Sequence, residues 1–184
     1  MILNARNNQF TFNLPRDFIP TEIVNKYSPY LNRIPGNLIY KPIDFLNYGI
    51  QAMNFPDFNY DPVRQTAKWG GRRDYRDSKP EQELIPGEFT LTFQLMDGFI
   101  NYWMMVDLMF YWYGFPNPDP FIPEGTTIRM LDLEGNQLVS AQFRNVLFKS
   151  VGSLDLSFSS NQLDFTTFEC SFAYNAMIIK VELD

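Results

Sequence analysis

"LDLSFSSNQLDFTTFECSFAYNAMIIK", residues 154–180, is the stretch whose reading decides the fold. Leu154, Leu156 and Phe158 fall on one side of an extended chain, with polar residues between them. After a polar turn at Ser159–Asn161, Phe168, Cys170, Phe172 and Tyr174 share one face, opposite Thr167, Glu169 and Ser171. A period of two is the signature of a strand with one buried side, and a one-residue slip would turn every ring to solvent. The stretch therefore predicts two antiparallel strands, and it carries no chemistry of its own.

Upstream, "TTIRMLDLEGNQLVSAQF" reads as a strand over 126–134, a turn at Glu134-Gly135-Asn136 and a returning strand over 137–149. The acidic turn lacks the ligand spacing of a calcium loop and is read as a plain hairpin. "EFTLTFQL" places Phe89, Leu91, Phe93 and Leu95 on one face and Thr90, Thr92 and Gln94 on the other, a half-buried strand. "NQFTFNL" is a first short strand over residues 8–14. Nine of the 13 prolines lie in residues 15–86, four more in 116–123 and none beyond, so the first part is expected to be irregular and the last third regular sheet.

Two segments stand apart. Val63–Glu83 is polar, with Gly70-Gly71 at its middle to supply the positive φ of a tight turn, and reads as an extended β-hairpin arm. It carries Arg64, Lys68, Arg72, Arg73, Arg76 and Lys79, with Trp69 and Tyr75 among them. Asp74, Asp77, Glu81 and Glu83 interrupt that basic run and weaken it as a nucleic-acid surface. Residues 97–113 read as a helix, with Asp97 as N-cap and Gly114 as its stop. Phe99, Tyr102, Trp103, Val106, Phe110 and Tyr113 form one apolar stripe, while Ile100, Met104, Leu108 and Tyr111 extend the apolar surface to another side. Such a helix lies either deep in a core or between its own sheet and another subunit. Its stretch Gly98–Phe115 imitates a membrane span, but Asp107 near mid-depth and the lack of Lys or Arg from Pro80 to Ile128 argue against insertion.

A length of 184 residues suits one domain, 1–184, and the strands and one helix read above make it mainly β, an α+β class. Residues 1–79 hold 11 Lys/Arg against 7 Asp/Glu, and residues 80–184 hold 4 against 14, an asymmetry that suits association between unlike faces. Histidine is absent, which removes the commonest general base and metal ligand. One cysteine rules out an internal disulfide and the paired-cysteine zinc patterns, and no phosphate-cradling glycine loop occurs. The reading is a non-enzyme with no catalytic, cofactor or metal site. "MILNARNNQF" has no long apolar core or small-residue cleavage site, so no signal peptide is expected.

"NVLFKSVGSLDLSF" followed by "LDFTTFECSFAYN" resembles the C-terminal signature of the tail tube proteins of contractile-tailed bacteriophages, which are related to the tubes of contractile injection systems. The matching positions are Val151, Gly152, Leu154, Leu156, Phe158, Thr167, Phe168, Glu169, Phe172 and Tyr174. The hairpin, aromatic helix and polar arm occur in the family's order, so the resemblance covers about residues 60–175. It implies a tail-tube-like antiparallel β-sandwich or barrel with one helix, assembled as stacked sixfold rings, located in the virion tail and assembled in the host cytoplasm. It implies contact with sheath and tape measure proteins, and transient, non-specific passage of DNA through the lumen. An acidic second half would repel phosphate and let DNA slide. The arm residues Arg64, Lys68, Trp69, Gly70, Gly71, Arg72, Arg73 and Arg76 would reach the next ring. The tail "AMIIKVELD", the proline loop "FPNPDPFIP" and the aromatic N-terminal region depart from the pattern. They leave open a baseplate tube initiator, a tail-end cap or the tube of a contractile secretion system, and the rival from another class is a monomeric β-sandwich that binds a ligand.

Overall fold

A computed structural model describes residues 9–33, 41–56, 63–66, 72–75, 86–114, 120–154 and 166–181. In chain order the elements are β1 (Phe10–Asn13), α1 (Thr21–Leu31), α2 (Pro42–Gly49), β2 (Ile50–Asn54), β3 (Val63–Thr66), β4 (Arg72–Tyr75), β5 (Gly87–Gln94), α3 (Ile100–Tyr113), β6 (Thr127–Leu131), β7 (Gln137–Arg144), β8 (Leu147–Val151), β9 (Thr167–Tyr174) and β10 (Ala176–Val181). They build two four-stranded sheets: sheet I in the order β1-β6-β7-β10 and sheet II in the order β2-β5-β9-β8. Every pairing is antiparallel. The fold is an α+β sandwich of the kind that the sequence predicts.

The opening stretch supplies its spine. β9 buries Phe168, Cys170, Phe172 and Tyr174 and turns Thr167, Glu169 and Ser171 outward, as its period requires. Phe172 stacks between Phe89 of β5 and Phe148 of β8, with centroids 5.2 and 4.7 Å away. Phe143 of sheet I meets Phe89 at 4.6 Å and Tyr174 at 5.0 Å, so rings from both sheets interdigitate. Cys170 lies free and buried in this core, and desolvation pushes its thiol well above the ordinary range, which leaves it inert. Leu156 and Phe158 lie outside the described residues.

The predicted strand 137–149 is two strands. At Asn145, in a left-handed conformation (φ 50°), the chain leaves sheet I, and β8 continues in sheet II. The partner chain crosses at the same place: β9 of sheet II passes through Asn175 into β10 of sheet I, with Asn175 N–H donating to the Arg144 carbonyl. Residues 137–151 and 167–181 thus form one antiparallel ribbon bent over the sandwich corner, a device by which strands serve two sheets. The "AMIIKVELD" tail gives this ribbon its last strand, β10.

The expectation of one helix and an irregular first part is corrected, since α1 and α2 lie there. Proline did not prevent them. Pro20 precedes the first turn of α1 and Pro42 occupies the first turn of α2, where a missing N–H costs nothing. α1 buries Ile23, Tyr27 and Leu31 at a spacing of four. The third helix also starts later than expected. Asp97–Phe99 is a 3-10 turn with Gly98 (φ 66°) and Phe99 (φ 58°) left-handed, and Phe99, with no capping side chain, precedes α3. Asp97 is therefore not the N-cap; the reversal from β5 into the helix consumes those residues. Gly114 does end α3, and a Cβ there would lie 2.6 Å from the Phe110 carbonyl oxygen. No helix among the described residues is long and apolar enough to cross a membrane.

Candidate assembly surfaces

Both sheets are open at both sides. Among the described residues, β1 and β10 of sheet I and β2 and β8 of sheet II each pair on one side only. An unpaired edge presents a row of backbone donors and acceptors to any strand that comes alongside. The edge of β1 borders an open groove of about 600 Å³, whose far side is Asn47, Tyr48, Ile50 and Gln51. The Asn47 side chain accepts from the Leu14 N–H at the end of β1 and fixes that wall.

The interior of sheet I also runs past its own cover. Register places Phe12, Ile128, Ala141 and Ile179 in one cross-strand row, and the first three are buried. The next row is Phe10, Met130, Val139 and Val181, which faces the same way; Met130 is 36% and Val181 60% exposed. Apolar packing layers thus continue into solvent at one end of the sheet.

Helix α3 presents the second apolar surface. It buries Asn101, Met104, Met105 and Leu108. The Asn101 amide clamps the end of β5, donating to the Gln94 carbonyl at 2.6 Å and accepting from the Met96 N–H at 3.1 Å. Tyr102 sets its ring edge-on against Phe168. Asp107, the charge within the helix, turns to α1, where its carboxylate accepts from Tyr27 Oη at 2.6 Å and from Lys26 Nζ. Desolvation first, and the Asp107 carboxylate second, push the Tyr27 phenol well above its ordinary range. With that charge used inward, the outward stripe is uncharged: Phe99 is 37%, Trp103 54%, Phe110 66% and Tyr113 62% exposed, at helical spacings of four, seven and three. Of the two placements open to the sequence, the deep core is excluded.

The predicted arm residues fall partly outside the described residues. β3 and β4 do pair as a hairpin, Val63 opposite Tyr75 and Thr66 opposite Arg72, with Arg64 and Arg73 within the strands. Lys68, Trp69, Gly70, Gly71 and Arg76 lie outside the description. The described signature residues serve the fold. Phe168, Phe172 and Tyr174 are core, and Val151 pairs with Cys170. Gly152 approaches β9 so closely that its N–H reaches the Glu169 carbonyl at 2.6 Å, and a Cβ would sit 3.1 Å from that oxygen. Glu169 itself is exposed. Of the described signature residues, only Val151 stands on an edge strand, β8, and none lies on the exposed α3 stripe. Only the alternation of apolar faces and the excess of aromatics on one helix hinted at the edges and the stripe.

No protein-family model matches the chain, and no curated protein matches it. Solved structures do. A chain of the anti-feeding prophage (AFP) tube-terminating cap aligns over 99% of this chain and 94% of its own, with TM-score 0.59 and 12% identity. A chain of the PVC extracellular contractile injection system sheath–tube complex in its extended state aligns over 97% and 93%, with TM-score 0.57 and 12% identity. A chain of the AFP baseplate aligns over 98% and 98%, with TM-score 0.53 and 13% identity. The protein thus shares its fold with chains of the AFP tube-terminating cap, the AFP baseplate and the PVC sheath–tube complex.

Proposed function

We propose that this chain is a structural, non-enzymatic subunit of a contractile tail, built into the tube body or into one of its ends. The observation that carries the reading is the fold, shared along nearly the whole chain with components of two such assemblies, the AFP cap and baseplate and the PVC sheath–tube complex. The outer strands of both sheets support it, because edges left unpaired among the described residues offer lateral places to add strands. Contacts between unlike surfaces of identical copies close rings laterally and extend filaments axially.

On this reading copies join edge to edge into stacked sixfold rings around a tape measure, and a sheath surrounds them. The groove along β1 receives a neighbouring strand, and β10, whose apolar end is exposed, is suited to enter it. A neighbour covers the α3 stripe. The β3–β4 hairpin is the inter-ring arm, through Arg64, Lys68, Trp69, Gly70, Gly71, Arg72, Arg73 and Arg76. The lumen conducts DNA in a phage.

Negative-stain electron microscopy of purified protein over a concentration series tests the reading. Long hollow tubes support a body subunit, single or few stacked rings support a cap or initiator, and a monomer that persists at high concentration refutes both. Deleting residues 65–79 should leave rings and abolish stacking. Normal tube growth after that deletion would refute the assignment of the arm.

A further inference from the structure

The outward face of sheet I is built only of uncharged and basic residues. Its register rows are Thr11–Arg129–Ser140–Lys180, then Asn13–Thr127–Gln142–Ile178, then Arg144–Ala176. None of the residues in β1, β6, β7 and β10 is Asp or Glu. Residues 80–184 hold only four basic residues, and three of them, Arg129, Arg144 and Lys180, stand exposed on this one face. No ion pair engages any of the three among the described residues. Lys149, the fourth, is on sheet II, where its ammonium meets Glu88. The acidic balance of the second half therefore does not extend to the strands of this face.

We infer that the outward face of sheet I docks an acidic surface of another protein. Arg129 and Lys180 lie two strands apart, about 10 Å, and Arg144 is four residues further along β7 from the row they share, about 13 Å. That triangle has the dimensions of a protein–protein contact. Exposed Leu138 and half-buried Ile178 and Ala176 are interleaved with the cations, and these suit a side-chain surface better than a phosphate backbone. Net charge discriminates further. A chain at −6 repels an extended polyphosphate at long range, whereas a local acidic patch samples chiefly the residues of the face itself. The groove beside Arg129 also holds Arg16, Asp17, Asp44 and Glu124, which mark the border of the basic face on the β1 side. The inference does not depend on whether copies close into a tube.

The test compares the intact protein with a variant carrying Arg129→Ser, Arg144→Ser and Lys180→Ser, and with Lys149→Ser as a control on the other sheet. Probes are a short fluorescent peptide of Glu, Ala and Leu and a short DNA duplex. The intact protein should bind the peptide at low salt, with affinity falling as salt rises. The triple variant should bind about tenfold more weakly, and Lys149→Ser should bind unchanged. A thermal melt of the triple variant that matches the parent excludes misfolding as the cause. Should the melts differ, the single substitutions are scored instead, each expected to weaken binding. The inference is overturned by equal peptide binding in all forms, by no peptide binding, or by tighter binding of DNA than of peptide. It is also overturned if the triple variant loses self-association in sedimentation, since the face would then be a contact between copies of this chain.

Discussion

Replacing Trp103 and Phe110 together by serine should separate folding from assembly. The two side chains are 54% and 66% exposed on the outward stripe of α3. An aromatic side chain buries about 150–250 Å² in a complete interface, so each ring offers roughly 100–150 Å² to a partner. At about 25 cal/mol per Å² that is about 3 kcal/mol per ring before the cost of ordering the interface. Truncations at central aromatic anchors of interfaces cost about 2–4 kcal/mol each, so the double variant should associate at least about 100-fold more weakly. Its own fold should change little, because surface substitutions without a buried partner stay within about 0.5 kcal/mol. Sedimentation velocity over a concentration series reads the first quantity and a thermal melt the second. Unchanged assembly would refute the stripe as a contact between copies. A collapse of the melting transition would refute its placement outside the core.

Phe172→Ala removes the ring stacked between Phe89 and Phe148 and should cost about 3–5 kcal/mol in denaturant unfolding, against under about 0.5 kcal/mol for Glu169→Ala on the opposite face. Gly87→Ala places a Cβ 2.4 Å from Tyr174 Oη; this should destabilise by about 1–3 kcal/mol, and Tyr174→Phe should relieve part of it. Alkaline pH should unfold the protein. Cys170 and Tyr27 both hold their protons more tightly when folded, so their stabilisation is complete below the ordinary values of 9.0 and 10.0 and is lost as pH rises beyond them. Each group contributes about 1.4 kcal/mol per pH unit there, and Cys170→Ala should reduce the slope by one such increment.

Alternation made the buried faces of β5 and β9 legible, because Phe89, Leu91, Phe93, Phe168, Cys170 and Phe172 have only one way to share an interior. The hairpin of β6 and β7 was legible from Gly135, whose φ of 90° fits the turn. The Asp132 carboxylate, held below its ordinary range chiefly by hydrogen bonds from Asn136, braces that turn. Helices α1 and α2 were hidden because prolines were read as breakers, while Pro20 and Pro42 sit where helices begin. The bend at Asn145 was hidden because both strands alternate alike, and only the change of sheet tells them apart. On α3, an apolar surface of more than one side was visible, but the side left bare was fixed by Asp107 choosing α1, a contact across 80 residues.

The folded-over ribbon of residues 137–151 and 167–181 binds the two layers into one mechanical piece. Covalent backbone turns the corner twice, at Asn145 and Asn175, so shear applied to either layer is carried by peptide bonds and not only by the grip of side chains. Neither layer can melt while the other stays intact, and amide exchange in β7 and β9 should share one opening energy. A part that is driven lengthwise in bulk, as the tube of a contractile tail would be, benefits from units that deform as a whole or not at all.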